Sequence, residues 1–96
     1  MPFYSRTLVA LLLATAAYGF VSTVVCHEPG NCSGLGLGVH QNTLLHNCAS
    51  YTVNDGEIDV CTGFANGQCT GCTDWAGPTA CYNKPLVCFR DRLQQQ

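Results

Sequence analysis

Eight cysteines, all placed after an apolar N-terminal run, constrain this chain more than any other feature. They stand at Cys26, Cys32, Cys48, Cys61, Cys69, Cys72, Cys81 and Cys88 in a chain of 96 residues. An even count in a short secreted chain is the mark of a disulfide framework. The energetics ask for one, because a core this small hardly offsets the entropy of ordering the chain. Four bridges supply the missing margin by restricting the unfolded state. Spacing does not choose among the many possible pairings.

The run that precedes them is an address. Arg6 follows five uncharged residues, residues 8–17 are uncharged, and Ala17-Tyr18-Gly19 places small side chains where a signal peptidase reads. A membrane span needs about 20 apolar residues, and this run is about half as long. Residues 1–19 are therefore expected to be a signal peptide, cut after Gly19 with Ala16 as the alternative. Residues 20–96 then form a single cysteine-rich domain delivered to the extracellular space, where oxidised cysteines persist.

Metal is the rival use of these cysteines. Cys69-Thr70-Gly71-Cys72 has the gap of a zinc knuckle or redox dithiol, and His27, His40 and His46 could add nitrogen ligands. A structural zinc site would pair the knuckle with a second close pair, which the 81-to-88 gap does not provide. No βαβ pattern surrounds Cys69, as a thioredoxin-like site would require. No metal and no cofactor are expected.

Charge narrows the partners. Beyond the signal, Lys84, Arg90 and Arg92 face Glu28, Asp55, Glu57, Asp59, Asp74 and Asp91, a net charge near −3. No basic stripe exists to hold phosphates, so nucleic acid is not an expected partner.

Strand and turn signals place the elements. Residues 22–26 are β-branched and short, as a strand would be. Residues 26–38 carry five glycines and prolines and are expected to be loop. Leu44, Leu45 and Cys48 fall on one helical face between positions 42 and 51, with Asn42 or Thr43 as cap, which predicts a short helix. Asn54-Asp55-Gly56 suggests a hairpin turn between residues 51–53 and 57–61, and Asn66-Gly67 a second between 62–65 and 68–70. Asn83-Lys84-Pro85 suggests a third, joining 79–82 to 86–90, and residues 94–96 a frayed tail. The expected fold is a small disulfide-rich α+β domain: an antiparallel sheet of hairpins with one short helix.

Candidate chemistry is sparse. Asp55, Glu57 and Asp59 recur at spacing two, but Val60 and Asn66 stand where a calcium loop begun at Asp55 needs Gly and Glu. A solvated acidic edge, which also discourages sheet-to-sheet aggregation, explains them better. Glu57 and Asp59 could flank a glycosidic bond, yet a domain this size offers little cleft. Trp75, the only tryptophan, sits among turn residues as either a contact platform or a core ring. Asn31-Cys32-Ser33 matches the glycosylation sequon, with poor occupancy expected because its middle residue is bridged.

Three segments together resemble the smut-fungus killer toxin family (killer protein four and its relatives). They are Cys26-His27-Glu28-Pro29-Gly30-Asn31-Cys32, Asp55-Gly56-Glu57-Ile58-Asp59-Val60-Cys61, and Asn66-Gly67-Gln68-Cys69. Cys69-Thr70-Gly71-Cys72 lacks the histidine that precedes the comparable family segment, and the family's basic toxicity residue has no counterpart. The resemblance implies an α/β sandwich and a toxin that blocks calcium uptake in rival fungi. The expected function is a secreted, non-enzymatic interaction protein, a fungal toxin or effector. It would be monomeric, meeting a target-cell protein or cell-wall glycan through Trp75, Tyr82, Asp55, Glu57 and Asp59. A chitin- or glucan-binding module stacking sugar on Trp75 and Tyr82 is the alternative, and a small secreted hydrolase the third.

Overall fold

The computed structural model of the chain describes residues 22–78 and 80–92. The expected signal peptide at 1–19, its cleavage sites, position 79 and the tail at 94–96 lie outside the described residues. Seven strands are present among the described residues: β1 (Thr23–His27), β2 (Gly36–Val39), β3 (Ser50–Asp55), β4 (Ile58–Ala65), β5 (Gln68–Ala76), β6 (Cys81–Tyr82) and β7 (Cys88–Asp91). They form two antiparallel sheets, β2-β1-β3-β6 and β5-β4-β7. We call them sheet A and sheet B.

Period-two burial explains the layering. Val24 and Cys26 on β1, and Tyr51 and Val53 on β3, turn inward from sheet A. Ile58, Ala76 and Phe89 turn inward from sheet B, and with Cys48 and Leu86 they make one core between the sheets. Cys61, Cys69 and Cys88, with Phe64, Cys72 and Val87 against them, make a second, smaller core.

All eight cysteines are bridged, as Cys26–Cys48, Cys32–Cys81, Cys61–Cys72 and Cys69–Cys88. The first two bridges staple sheet A and its loops, and the other two staple sheet B. No bridge joins one sheet to the other. Cys69 on β5 reaches Cys88 on β7 across β4, with Cα atoms 5.7 Å apart. Two strands flanking a third in a flat sheet would stand about 9.5 Å apart. Sheet B is therefore curled around β4, whose register shifts between Val60 and Cys61.

The expected small, disulfide-rich antiparallel architecture is present, but the helix is not: no described residue is helical. The segment expected to be a helix is irregular until β3, with Asn42 and Asn47 in the left-handed region at φ 56° and 61°. Its backbone pairs elsewhere. Asn42 N donates to Phe89 O, Leu45 N donates to Val87 O, and Leu86 N donates to Cys48 O, so the segment covers the outer edge of β7. These partners replace the intrahelical bonds that the Leu44–Leu45–Cys48 spacing suggested. The helix implied by the killer-toxin resemblance is likewise absent among the described residues.

Three other expectations change. The turn at Asn54-Asp55-Gly56 is a crossover, since β3 lies in sheet A and β4 in sheet B. The strands around Asn83-Lys84-Pro85 also part company: β6 joins β3 while β7 joins β4. Within the glycine-rich stretch expected to be loop, residues 36–39 form β2 on the edge of sheet A. The Asn66-Gly67 hairpin stands as expected. Ala65 pairs with Gln68, and Asn66 and Gly67 take φ 54° and 77°, the positive pair a two-residue I′ turn needs.

Candidate functional site

Alternation on sheet B turns one row of side chains away from the core. Trp75 on β5 stands opposite Asp59 on β4, which stands opposite Arg90 on β7. The sheet thus presents an aromatic, an acid and a base side by side on its outer face. Arg92 reinforces the row from the end of β7, its Nε lying 3.9 Å from Asp59 Oδ1.

Trp75 is 48 % exposed, unusual for the only tryptophan of a domain with so small a core. It is nevertheless fixed. Its indole Nε1 donates to Glu57 Oε1 at 2.7 Å, and its backbone N–H is accepted by Asp74 Oδ1 at 2.9 Å. The ring lies against Gly77: a Cβ added there would come within 2.5 Å of Trp75 Cζ2. Any other residue at position 77 would push the ring aside.

Gly77 is held in turn by Tyr82. The Tyr82 hydroxyl accepts from Gly77 N at 3.0 Å and donates to Gly77 O at 2.9 Å. The Tyr82 ring stacks on Tyr51, centroids 5.0 Å apart, and Tyr51 is fully buried. A continuous path therefore runs from the inter-sheet core through Tyr51, Tyr82 and Gly77 to the exposed indole. Burial, aided by the neighbouring Tyr82 and Asp74, pushes the Tyr51 hydroxyl up to about 12. The backbone N–H of Trp75 and the nearby Lys84 hold Asp74 below the ordinary carboxylate range.

The sequence candidates divide accordingly. Trp75, Glu57 and Asp59 come together on sheet B. Tyr82 is a support rather than a free platform, because its ring is stacked and its hydroxyl is engaged twice. Asp55 belongs to sheet A, at the end of β3 opposite Thr23. Gly77 was not singled out from the sequence, where Ala76-Gly77-Pro78 reads as an ordinary turn. Cys69 and Cys72 are bridged to different partners, Cys88 and Cys61, so they do not form a dithiol pair. At the sequon, Asn31 N donates to Asn83 Oδ1 while Cys32 is tied to Cys81, so its backbone is held in place.

Fold and site together define a two-sheet, four-disulfide β domain that displays one anchored tryptophan. Comparison with known proteins finds no matching family model, curated protein or solved structure.

Proposed function

We propose that this is a secreted, non-enzymatic interaction protein, a toxin or effector acting on a competitor or host cell through a specific surface partner. The observation that carries this reading is Trp75: half exposed, yet anchored by Glu57 and Gly77 on a bridged strand. Large rigid aromatics of this kind dominate binding energetics because little entropy is lost when they dock. Four disulfides in so small a protein are typical of extracellular proteins, which supports secretion. No helix among the described residues is long and apolar enough to cross a membrane.

A glycan partner is the second reading, favoured by the flat indole flanked by the Glu57 and Asp59 carboxylates. Of the two rings expected to stack sugar, Trp75 is the exposed one, since Tyr82 stacks inward on Tyr51.

The test is Trp75→Ala in protein with native bridges. The substitution should cut the effect on target cells at least about tenfold, as loss of an aromatic anchor does. The unaltered protein should leave anionic lipid vesicles intact, because its charge offers them no attraction. An undiminished effect from Trp75→Ala, or dye release from vesicles, would contradict the proposal. Retention on insoluble chitin or glucan that Trp75→Ala abolishes would select the glycan partner.

A further inference from the structure

β2 is an outer strand of sheet A, and it lacks every protection that the other sheet edges carry. The edge of β7 is covered by the segment through Asn42 and Leu45. β6 is two residues long and soon followed by Lys84 and Pro85. The edge of β5 is polar, includes Asp74, and faces a register shift. Short strands, charges, proline, irregularity and covering segments are the devices that keep edges from pairing. β2, Gly36–Val39, is four residues long but has none of the other devices: it pairs with β1 on one side and, among the described residues, with no strand on the other.

Its side chains are as unprotected as its backbone. Leu35, just before the strand, is 84 % exposed and Leu37 is 66 % exposed. With Val39, Leu44 and Leu45 they line a groove of about 410 Å³ on the inward side of the edge, beside Cys26. On the opposite face of β2 the space at Gly38 is open, while the Val25 and His27 side chains lie over Gly36. No Asp, Glu, Lys or Arg occurs between Glu28 and Asp55.

We propose that β2 is a self-association edge, and that its occupant is β2 of a second copy, antiparallel about a two-fold axis. Three observations favour a copy of the chain. The free edge needs alternating hydrogen-bond donors and acceptors, which an identical antiparallel strand supplies and a lipid surface does not. A two-fold axis normal to the sheet sets both sets of leucines on one side, so the two apolar grooves merge. With six acids against three bases beyond the expected signal, the chain would repel itself across most faces, whereas β2 carries no charge and Glu28 is the one Asp, Glu, Lys or Arg lining its groove. The product is one continuous eight-stranded sheet, made from two copies of sheet A, with each Trp75 left on the outer face of its own sheet B. The proposed dimer stands in place of the monomer expected from the sequence.

The experiment is sedimentation equilibrium on the oxidised protein across a wide concentration range, with Leu37→Lys and Gln68→Lys alongside it. Both positions are exposed, so the folds should survive, and an unchanged far-ultraviolet spectrum and thiol count would verify this. The unaltered protein and Gln68→Lys, which charges the β5 edge, should reach twice the mass of one chain. Leu37→Lys should weaken association about a hundredfold or more, because each substitution enters a two-fold interface twice. A single-chain mass at every concentration, a dimer indifferent to Leu37→Lys, or dissociation by Gln68→Lys instead would each overturn the proposal.

Discussion

The two sheets carry two disulfides each, but they are built by opposite strategies. Sheet B grows outward from a local hairpin whose turn residues prefer the geometry they adopt, and its strands bear Asp59, Asp74, Arg90 and Asp91. Sheet A gathers four segments from across the chain, and no residue of β2 or β6 carries a charge. Its bridges reach accordingly further: Cys32–Cys81 spans 49 residues, whereas Cys61–Cys72 spans 11. Local turn chemistry can specify one sheet, while the other depends on long-range links and on what its faces cover. Between the sheets there is packing, together with ties such as the backbone N–H of Ser22 donating to buried Asp91 and Ser22 Oγ donating to Glu57 O at 3.0 Å.

The sharpest way to break the contrast is to remove bridges of unequal reach. Replacing Cys32 and Cys81 by serine should cost roughly 4 kcal/mol, and replacing Cys61 and Cys72 roughly 3 kcal/mol, from loop-closure entropy in the unfolded chain. Denaturant titration of the two variants measures the difference. Equal costs, or a larger one for Cys61–Cys72, would show that sheet B depends more on its bond than on its hairpin.

Alkali probes sheet A through Tyr51. The folded state holds this proton up to about 12, whereas an unfolded tyrosine releases it near 10. The folded pKa is the higher one, so the contribution is complete below pH 10 and is lost as pH rises toward 12. Stability should fall by on the order of 2 kcal/mol across that window. The Tyr51 hydroxyl is buried with no hydrogen-bond partner among the described residues. Tyr51→Phe should therefore remove the alkaline loss and leave stability at neutral pH equal or higher. A stability loss in Tyr51→Phe at neutral pH would reveal a partner for that hydroxyl.

Tyr82→Phe addresses the path to the site. It deletes both hydrogen bonds to Gly77 while keeping the stacked ring, at about 1–2 kcal/mol in stability. Loosening Gly77 should also loosen the indole, seen as lower tryptophan fluorescence anisotropy at matched lifetime. Unchanged anisotropy would mean that Glu57 fixes the ring without help from Gly77.

What the sequence revealed follows the same division. Asn66-Gly67 and the alternation of Ile58 and Val60 with acids are local signals, and they locate the hairpin of sheet B. In the segment between β2 and β3 the spacing of Leu44, Leu45 and Cys48 suggested a helix. The decisive facts were non-local: backbone partners at residues 86–89 and the bridge from Cys48 to Cys26. β2 escaped notice because two of its four residues are glycine. At the site, Trp75, Glu57 and Asp59 were legible as residue types. The support from Gly77 and Tyr82 was not, since it exists only once β6 has crossed to sheet A beside Tyr51.

Each sheet is stapled separately, and a disulfide map of the oxidised protein tests that most directly. Proteolysis without reduction, followed by mass spectrometry, should recover Cys26–Cys48, Cys32–Cys81, Cys61–Cys72 and Cys69–Cys88, with no free thiol. A peptide joining any of Cys26, Cys32, Cys48 or Cys81 to any of Cys61, Cys69, Cys72 or Cys88 would contradict the account.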